Sequence, residues 1–188
     1  FTVITMNEKT QFGKSDLSDR KKEVPPIDGI LSFPGFPLVL VCVKKNIITV
    51  AAVSFFSFGK PPMVMIGIVP KRFSYELIKE TMDYSINIPT PDLLNEVIFC
   101  GSKSGRDVDK FAETSLTPMQ AAKIKSFLIK ECPVSLECKV IHTINLGGTH
   151  VWFVGEVVAA HKQESYNRSQ AIMYWPKEYR KVGEIISK

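Results

Sequence analysis

The chain has 188 residues, of which 45% are hydrophobic and 23% charged, ordinary proportions for a globular protein that can bury a core without disulfides or a structural metal. Its longest apolar run, Ile47 to Phe58, is too short for a membrane-spanning helix, which takes about 20 residues. The net charge of +5 suits a phosphorylated or polyanionic ligand, although a surplus of that size is also common as plain surface charge.

Residues 1–30 are polar and irregular and end in Pro25-Pro26, as expected for an N-terminal arm ahead of a single domain over 31–188. Leu38 to Val43 is a short apolar run that predicts a buried strand, followed by a turn at Lys44-Lys45-Asn46. Ile47 to Phe58, β-branched and aromatic, predicts a second strand, and Met63 to Val69 a third after Pro61-Pro62. Three strands in succession without a helix between them argue for an antiparallel meander.

The period then changes. Leu77, Ile78, Thr81 and Met82 share a helical face opposite Glu76, Lys79 and Glu80, so a helix is expected over Ser74 to Met82 with Ser74 as its N-cap. A strand follows at Tyr84 to Ile88. A helix is predicted over Asp92 to Phe99, stopped by Cys100-Gly101, and a second one over Gly105 to Glu113. Thr117-Pro118 reads as a further helical turn. From Pro133 the apolar residues Val134, Leu136, Cys138 and Val140 alternate with Ser135, Glu137 and Lys139, a strand pattern. Gly147-Gly148 signals a two-residue hairpin, and Val151 to Ala160 is the returning strand. Strands at both ends with helices between them predict a mainly β, α+β fold, an antiparallel split β-barrel with helical insertions.

The four cysteines, Cys42, Cys100, Cys132 and Cys138, show no CxxC spacing and point to reduced thiols and a cytoplasmic protein. His142 shares its face with Val140 and Ile144, as a core or interface histidine would, and His161 ends a strand where solvent is expected. With no carboxylate or thiol at ligand spacing from the histidines, no metal site is expected. Nucleic-acid binding would need a basic stripe with exposed aromatics, whereas Phe55, Phe56 and Phe153 fall in strands that read as core.

One stretch carries chemistry. Lys71, Arg72 and Ser74 stand where a helix begins, and a helix start offers unpaired N–H groups and a positive dipole to a phosphate. Spacing alone fits simple capping and solvated charge better. Upstream, Val50, Ala51, Ala52, Val53 and Ser54 are mostly small, so a flat ring could approach their backbone, or they could simply pack in a barrel. His150, beside the glycine pair, could donate to a ring or relay a proton and is the only candidate for acid–base work.

The ordered set of Asn46 with the strand Thr49 to Ser54, Arg72-Phe73-Ser74, Tyr84-Ser85-Ile86-Asn87-Ile88, Cys100-Gly101, Ser104-Gly105-Arg106, Asp109-Lys110-Phe111 and His150 with Phe153-Val154-Gly155-Glu156 resembles the flavin reductase-like, FMN-binding split-barrel family, in its flavoredoxin-like branch. The resemblance implies a homodimer with FMN near the subunit interface. It implies the isoalloxazine on the backbone of Val50 to Ser54, and the phosphate at Arg72, Phe73 and Ser74. It also implies Lys110 at the phosphate or ring, His150 close to the flavin, and Tyr174 shielding the ring. The implied function is electron transfer through bound FMN from NAD(P)H or a redox protein. The alternative within the same fold is a reductase that uses flavin as a diffusing substrate and supplies a partner oxygenase.

Overall fold

The structure, a computed structural model, describes residues 23–30, 32, 34–175 and 178–186, with no account of the Phe55 and Phe56 side chains. The chain divides into two compact units, residues 1–33 and 34–188. Most of the expected N-terminal arm lies outside the described residues. Its described part is not wholly irregular, because Pro26–Ile30 form a single exposed helical turn, α1, opened by a proline whose missing N–H costs nothing there.

The second unit begins with β1 (Phe36–Pro37), β2 (Val39–Val43), β3 (Asn46–Val50), β4 (Val53–Ser57) and β5 (Met63–Ile68). Helix α2 (Phe73–Thr81), strand β6 (Asp83–Ile88) and helix α3 (Leu94–Ser102) follow. The chain ends with β7 (Pro118–Met119), β8 (Leu128–Ile129), β9 (Val134–Asn145), β10 (Val151–Lys162), β11 (Ile172–Trp175) and β12 (Glu178–Lys181). Seven strands make one antiparallel sheet in the order β3-β2-β6-β9-β10-β5-β4. Strand β1 pairs with β11 and β11 with β12, while β7 pairs with β8.

The continuous strand expected over Ile47 to Phe58 is two strands, and they lie at opposite edges of the sheet. Only Ala51 and Ala52 join them. Two residues and their flanking bonds span roughly 10 Å, whereas the edges of a flat seven-stranded sheet would be about 29 Å apart. The sheet therefore has to curl, and the split β-barrel follows from this short link. The Ala52 carbonyl accepts a hydrogen bond from the Gly67 N–H at 2.7 Å, tying the link to β5. The first three strands are accordingly two hairpins on opposite sides of the barrel and not a simple meander.

Strand β2 is buried at all five positions and feeds two cores. Val39, Val41 and Val43 join Ile66, Tyr84 and Phe153 in one cluster; Leu40 and Cys42 join Val97, Cys100 and Ile129 in the other, under α3. The link serves both, with Ala52 packed on the first cluster and Ala51 on the second. Small side chains suit a backbone that turns between two cores. Tyr84 fills the barrel interior so closely that a Cβ on Gly155 would lie 2.5 Å from its hydroxyl oxygen.

Two of the three polar residues in the β9 alternation do not face solvent, whereas Lys139 does. Ser135 and Glu137, with Asp83, Ser85 and Asn87 on the paired β6, are buried beneath the segment 121–132. Glu137 accepts from the Ala122 and Lys123 N–H groups at 2.9 and 2.6 Å, Asp83 from those of Lys125 and Ser126, and Asn87 from that of Ile129. A segment whose only regular structure is the two-residue β8 needs partners for its backbone donors, and the sheet's side chains provide them. His161 is also held here, its Nε2 2.7 Å from the Glu137 carboxylate. His142 is exposed, not a core residue.

Other expectations are corrected by local hydrogen bonding. The helix expected over Gly105 to Glu113 is a series of turns, because Ser104 Oγ accepts from the Arg106 N–H and Asp109 Oδ1 from those of Phe111 and Ala112. Such side-chain acceptors compete with the helix ladder. Thr117-Pro118 is not helical, since the Thr117 N–H goes to Glu131 and Pro118 enters a strand pair. Helix α3 runs through Cys100-Gly101, where the missing side chain lets the helix sit on Thr49 of β3. The hairpin at Gly147-Gly148 spans residues 146–150, with Gly147 at φ +77°. Met82 is the left-handed C-cap of α2 and is exposed, outside the apolar face.

Candidate functional site

Helix α2 starts one turn after β5, and Arg72, not Ser74, is its N-cap. No side chain caps it, so the first-turn N–H groups are not taken up by the residue best placed to bind them. Ser74 is turned inward and buried, its Oγ accepting from Asn46 Nδ2 at 2.7 Å. Asn46 opens β3, and the C-terminal end of α3 packs on the same strand through Gly101 and Thr49. The loop after α3 passes directly behind Asn46.

These elements enclose a cavity of about 180 Å³. Its lining carries the cations Lys71, Arg72, Lys103, Arg106 and Lys110 and no carboxylate. A cavity below the roughly 300–1,000 Å³ of whole-ligand pockets takes one end of a ligand. Arg106 is positioned over the Phe73 ring at 5.1 Å and paired with Glu76 at 2.5 Å, so its guanidinium is fixed at the cavity wall. A second, more open cavity of about 530 Å³ adjoins the first and shares Asn46, Phe73, Gly105, Arg106 and Lys110 with it.

Lys110 is the buried cation of the set, 3% exposed. Its Nζ donates to the Ile47 and Cys100 carbonyl oxygens at 2.6 and 2.7 Å. Burial holds its pKa below the ordinary lysine value; Cys100 partly opposes this and the Arg72 charge adds to it. An anion in the cavity would relieve both costs. Cys100 itself is pushed up to about 11 by burial, against the pull of Lys110, so its thiol stays protonated and unreactive at neutral pH. The other three cysteines are also free and buried.

Of the residues singled out in the sequence, Arg72, Phe73, Ser74 and Lys110 meet at this cavity. Val50 to Ser54, His150 and Tyr174 do not line it. Ile48 on β3 does, and Val50 lies about 7 Å further along the same strand. From there Ala51, Ala52 and Val53 are half-buried and Ser54 exposed. As an edge strand, β4 leaves alternate backbone groups outside the ladder. His150 is half-buried, with Nδ1 2.8 Å from Thr149 Oγ1 and its ring near that of Trp152. Tyr174 packs on the same core cluster as Ala51 and contacts the Tyr179 ring at 5.4 Å.

Sequence reasoning missed several residues. Lys103 and Arg106 join the cavity although they lie more than twenty positions beyond the end of α2, because α3 returns the chain to β3. Trp152 covers Gly67 beside Ala52, where a Cβ on Gly67 would meet both at 3.1–3.3 Å. Among the described residues, no cluster of three or more His, Cys, Asp or Glu side chains could hold a metal ion, and no helix is long and apolar enough to cross a membrane.

Comparison with known proteins gives this architecture a lineage. An uncharacterized protein of Archaeoglobus fulgidus is 36% identical over 115 residues, 61% of this chain and 64% of that protein, so the aligned part falls short of two thirds of the relative's length. The structure of flavoredoxin from Desulfovibrio vulgaris (Miyazaki F) superposes with a TM-score of 0.74 at 27% identity, over 83% of this chain and 91% of the other. Flavoredoxin from Methanosarcina acetivorans superposes with a TM-score of 0.79 at 25% identity, over 90% and 95%. The family model for the flavin reductase like domain matches residues 32–183, and the chain belongs to that family, whose fold is associated with flavin-dependent redox chemistry.

Proposed function

We propose that this protein binds FMN with its phosphate in the cation-lined cavity and works as an electron-transfer flavoprotein or NAD(P)H-linked reductase. The observation that carries the reading is the cavity wall itself: five cationic side chains, no carboxylate, and a helix N-terminus without a side-chain cap. That donor set fits a phosphate dianion, which only accepts hydrogen bonds. Gly105 adds room, since a side chain there would enter the cavity wall.

Each group has a separate task. Arg72 presents a planar fork of donors at the rim, Arg106 adds the charge of a guanidinium held by Glu76 and the Lys71 carbonyl, and Lys110 contributes a desolvated charge from within. The segment Val50 to Ser54 offers backbone groups to the polar edge of a ring, with Tyr174 toward the second core. With Nδ1 held by Thr149, Nε2 of His150 is the atom left to give or take a proton at the ring. The bound flavin supplies the hydride and electron chemistry when present. We further propose a cytoplasmic homodimer without a nucleic-acid or membrane partner, in line with the family resemblance.

The absorption spectrum of the purified protein tests this, followed by anaerobic titration with NADH and NADPH. A flavin band near one per chain supports it. Colourless protein that gains no band with added FMN defeats it. NADH oxidation that requires excess free flavin would favour flavin as a diffusing substrate over flavin held as a carrier.

A further inference from the structure

The cation-lined cavity contains one group that a phosphate cannot serve. Asn46 Oδ1 is buried and has no hydrogen-bond partner among the described residues. The other end of the amide is committed, with Nδ2 donating to Ser74 Oγ at 2.7 Å. Behind it stands Gly105, where a Cβ would lie 1.8 Å from Oδ1 and 2.7 Å from Cγ. Glycine is therefore needed for the amide to sit where it does, and Oδ1, shielded from solvent in the ligand-free fold, belongs to a residue that lines the cavity. A buried acceptor without a donor is costly, and few survive in folded proteins.

The remaining polar side chains of the cavity are donors or hydroxyls. A phosphate dianion accepts from all of them, but it would meet Asn46 Oδ1 oxygen to oxygen. Only a group that donates can use it. We infer that Asn46 is a ligand-binding residue whose carbonyl oxygen accepts a hydrogen bond from a hydroxyl of the ligand's polyol chain, next to the phosphate. The inference rests on the proposed FMN reading and adds a ligand class to it, a sugar-alcohol phosphate and not a bare phosphate. Turning the amide end for end would give Ser74 a carbonyl to donate to and direct Nδ2 into the cavity. That arrangement would serve the phosphate instead, so the two orientations predict different ligand preferences.

The test is the affinity of wild-type protein, Asn46→Ala and Asn46→Asp for FMN, riboflavin and lumiflavin, read by quenching of flavin fluorescence. Riboflavin has the polyol chain without phosphate, and lumiflavin has neither. Asn46→Ala is expected to weaken FMN and riboflavin by the same factor, about tenfold, and to leave lumiflavin within about twofold. Asn46→Asp keeps the acceptor and the shape, so riboflavin should stay within about threefold while the added negative charge weakens FMN. Loss confined to FMN in Asn46→Ala overturns the inference in favour of the turned amide. Equal loss of all three flavins overturns it in favour of a purely structural role, as does unchanged binding of all three. If Asn46→Ala does not fold, loss of riboflavin in Asn46→Asp overturns it. Wild-type protein that binds no flavin defeats the FMN reading as well, whereas FMN binding that is untouched by Asn46→Ala defeats this inference alone.

Discussion

Two polar regions of the molecule treat buried polarity in opposite ways. Beneath the segment 121–132, Asp83, Ser85, Asn87, Ser126, Ser135 and Glu137 are buried, and each is hydrogen-bonded to others of the set or to the segment's backbone. Around the cavity, the wall holds five cations and no carboxylate, although Arg106 pairs with Glu76 beside it, a helix end has no side-chain cap, and one amide oxygen has no partner among the described residues. The first region is closed within the chain. The second has bonding capacity left over, which is the mark of a place built for something that is not the chain. The contrast separates structural from functional polarity better than charge does, because both regions contain ionisable groups.

Breaking the closed region should therefore cost stability and leave binding intact. Glu137 is fully buried, and burial alone would raise its pKa. The bonds from Ala122 N–H, His161 and Lys123 N–H outweigh that and hold the carboxyl below its ordinary value. Its contribution is present above the unfolded-state pKa and is lost as pH falls through the lower folded value. Glu137→Ala strands three donors and should cost about 3–5 kcal/mol. Chemical denaturation would show this, with FMN affinity of the folded fraction unchanged within about twofold. A comparable loss of flavin affinity would mean that the two regions are not separate.

Breaking the open region should do the reverse. Arg72→Ala is expected to weaken FMN by roughly 10- to 100-fold, the value of a hydrogen bond between charged groups, and riboflavin hardly at all. Thermal stability should change little, because Arg72 is exposed and caps nothing through its side chain. Equal loss for both flavins would show that the phosphate lies elsewhere.

The same contrast explains what could be read from sequence. Strands β2, β5, β6, β9 and β10 and helix α2 were legible because each is either a short continuous apolar run or buries an apolar face with a clear period. The break at Ala51-Ala52 was not, since alanine interrupts neither a strand pattern nor an apolar run. It became visible only when β3 and β4 were found at opposite sheet edges. The buried polar layer was not legible because alternation tells which residues are polar and not what covers them. Ser74 looked like a cap because a hydroxyl near a helix start usually is one; here Asn46, 28 positions earlier, holds it instead. Arg72 was legible from its place before a helix and Lys110 from the family resemblance. Lys103 and Arg106 depend on the route of α3, which no local pattern encodes.

The smallest effect, and the finest test of the contrast, lies in Lys110. It is buried like the closed region but lines the open one. Burial, partly opposed by Cys100 and reinforced by Arg72, lowers its folded pKa, so the empty fold binds a proton there less readily than the unfolded chain does. Between the folded and the ordinary value the unfolded chain holds more protons, and the stability of the ligand-free protein should rise with pH across that window. Phosphate binding needs the charged ammonium, so FMN affinity should fall over the same window, by no more than about tenfold per pH unit for a single proton. Riboflavin affinity should not follow. Lys110→Met removes the titrating group while keeping much of the buried stem, and it should flatten both trends together. If FMN affinity and stability moved in the same direction with pH, or if Lys110→Met kept the FMN trend, the buried ammonium would belong with the closed network and not with the ligand.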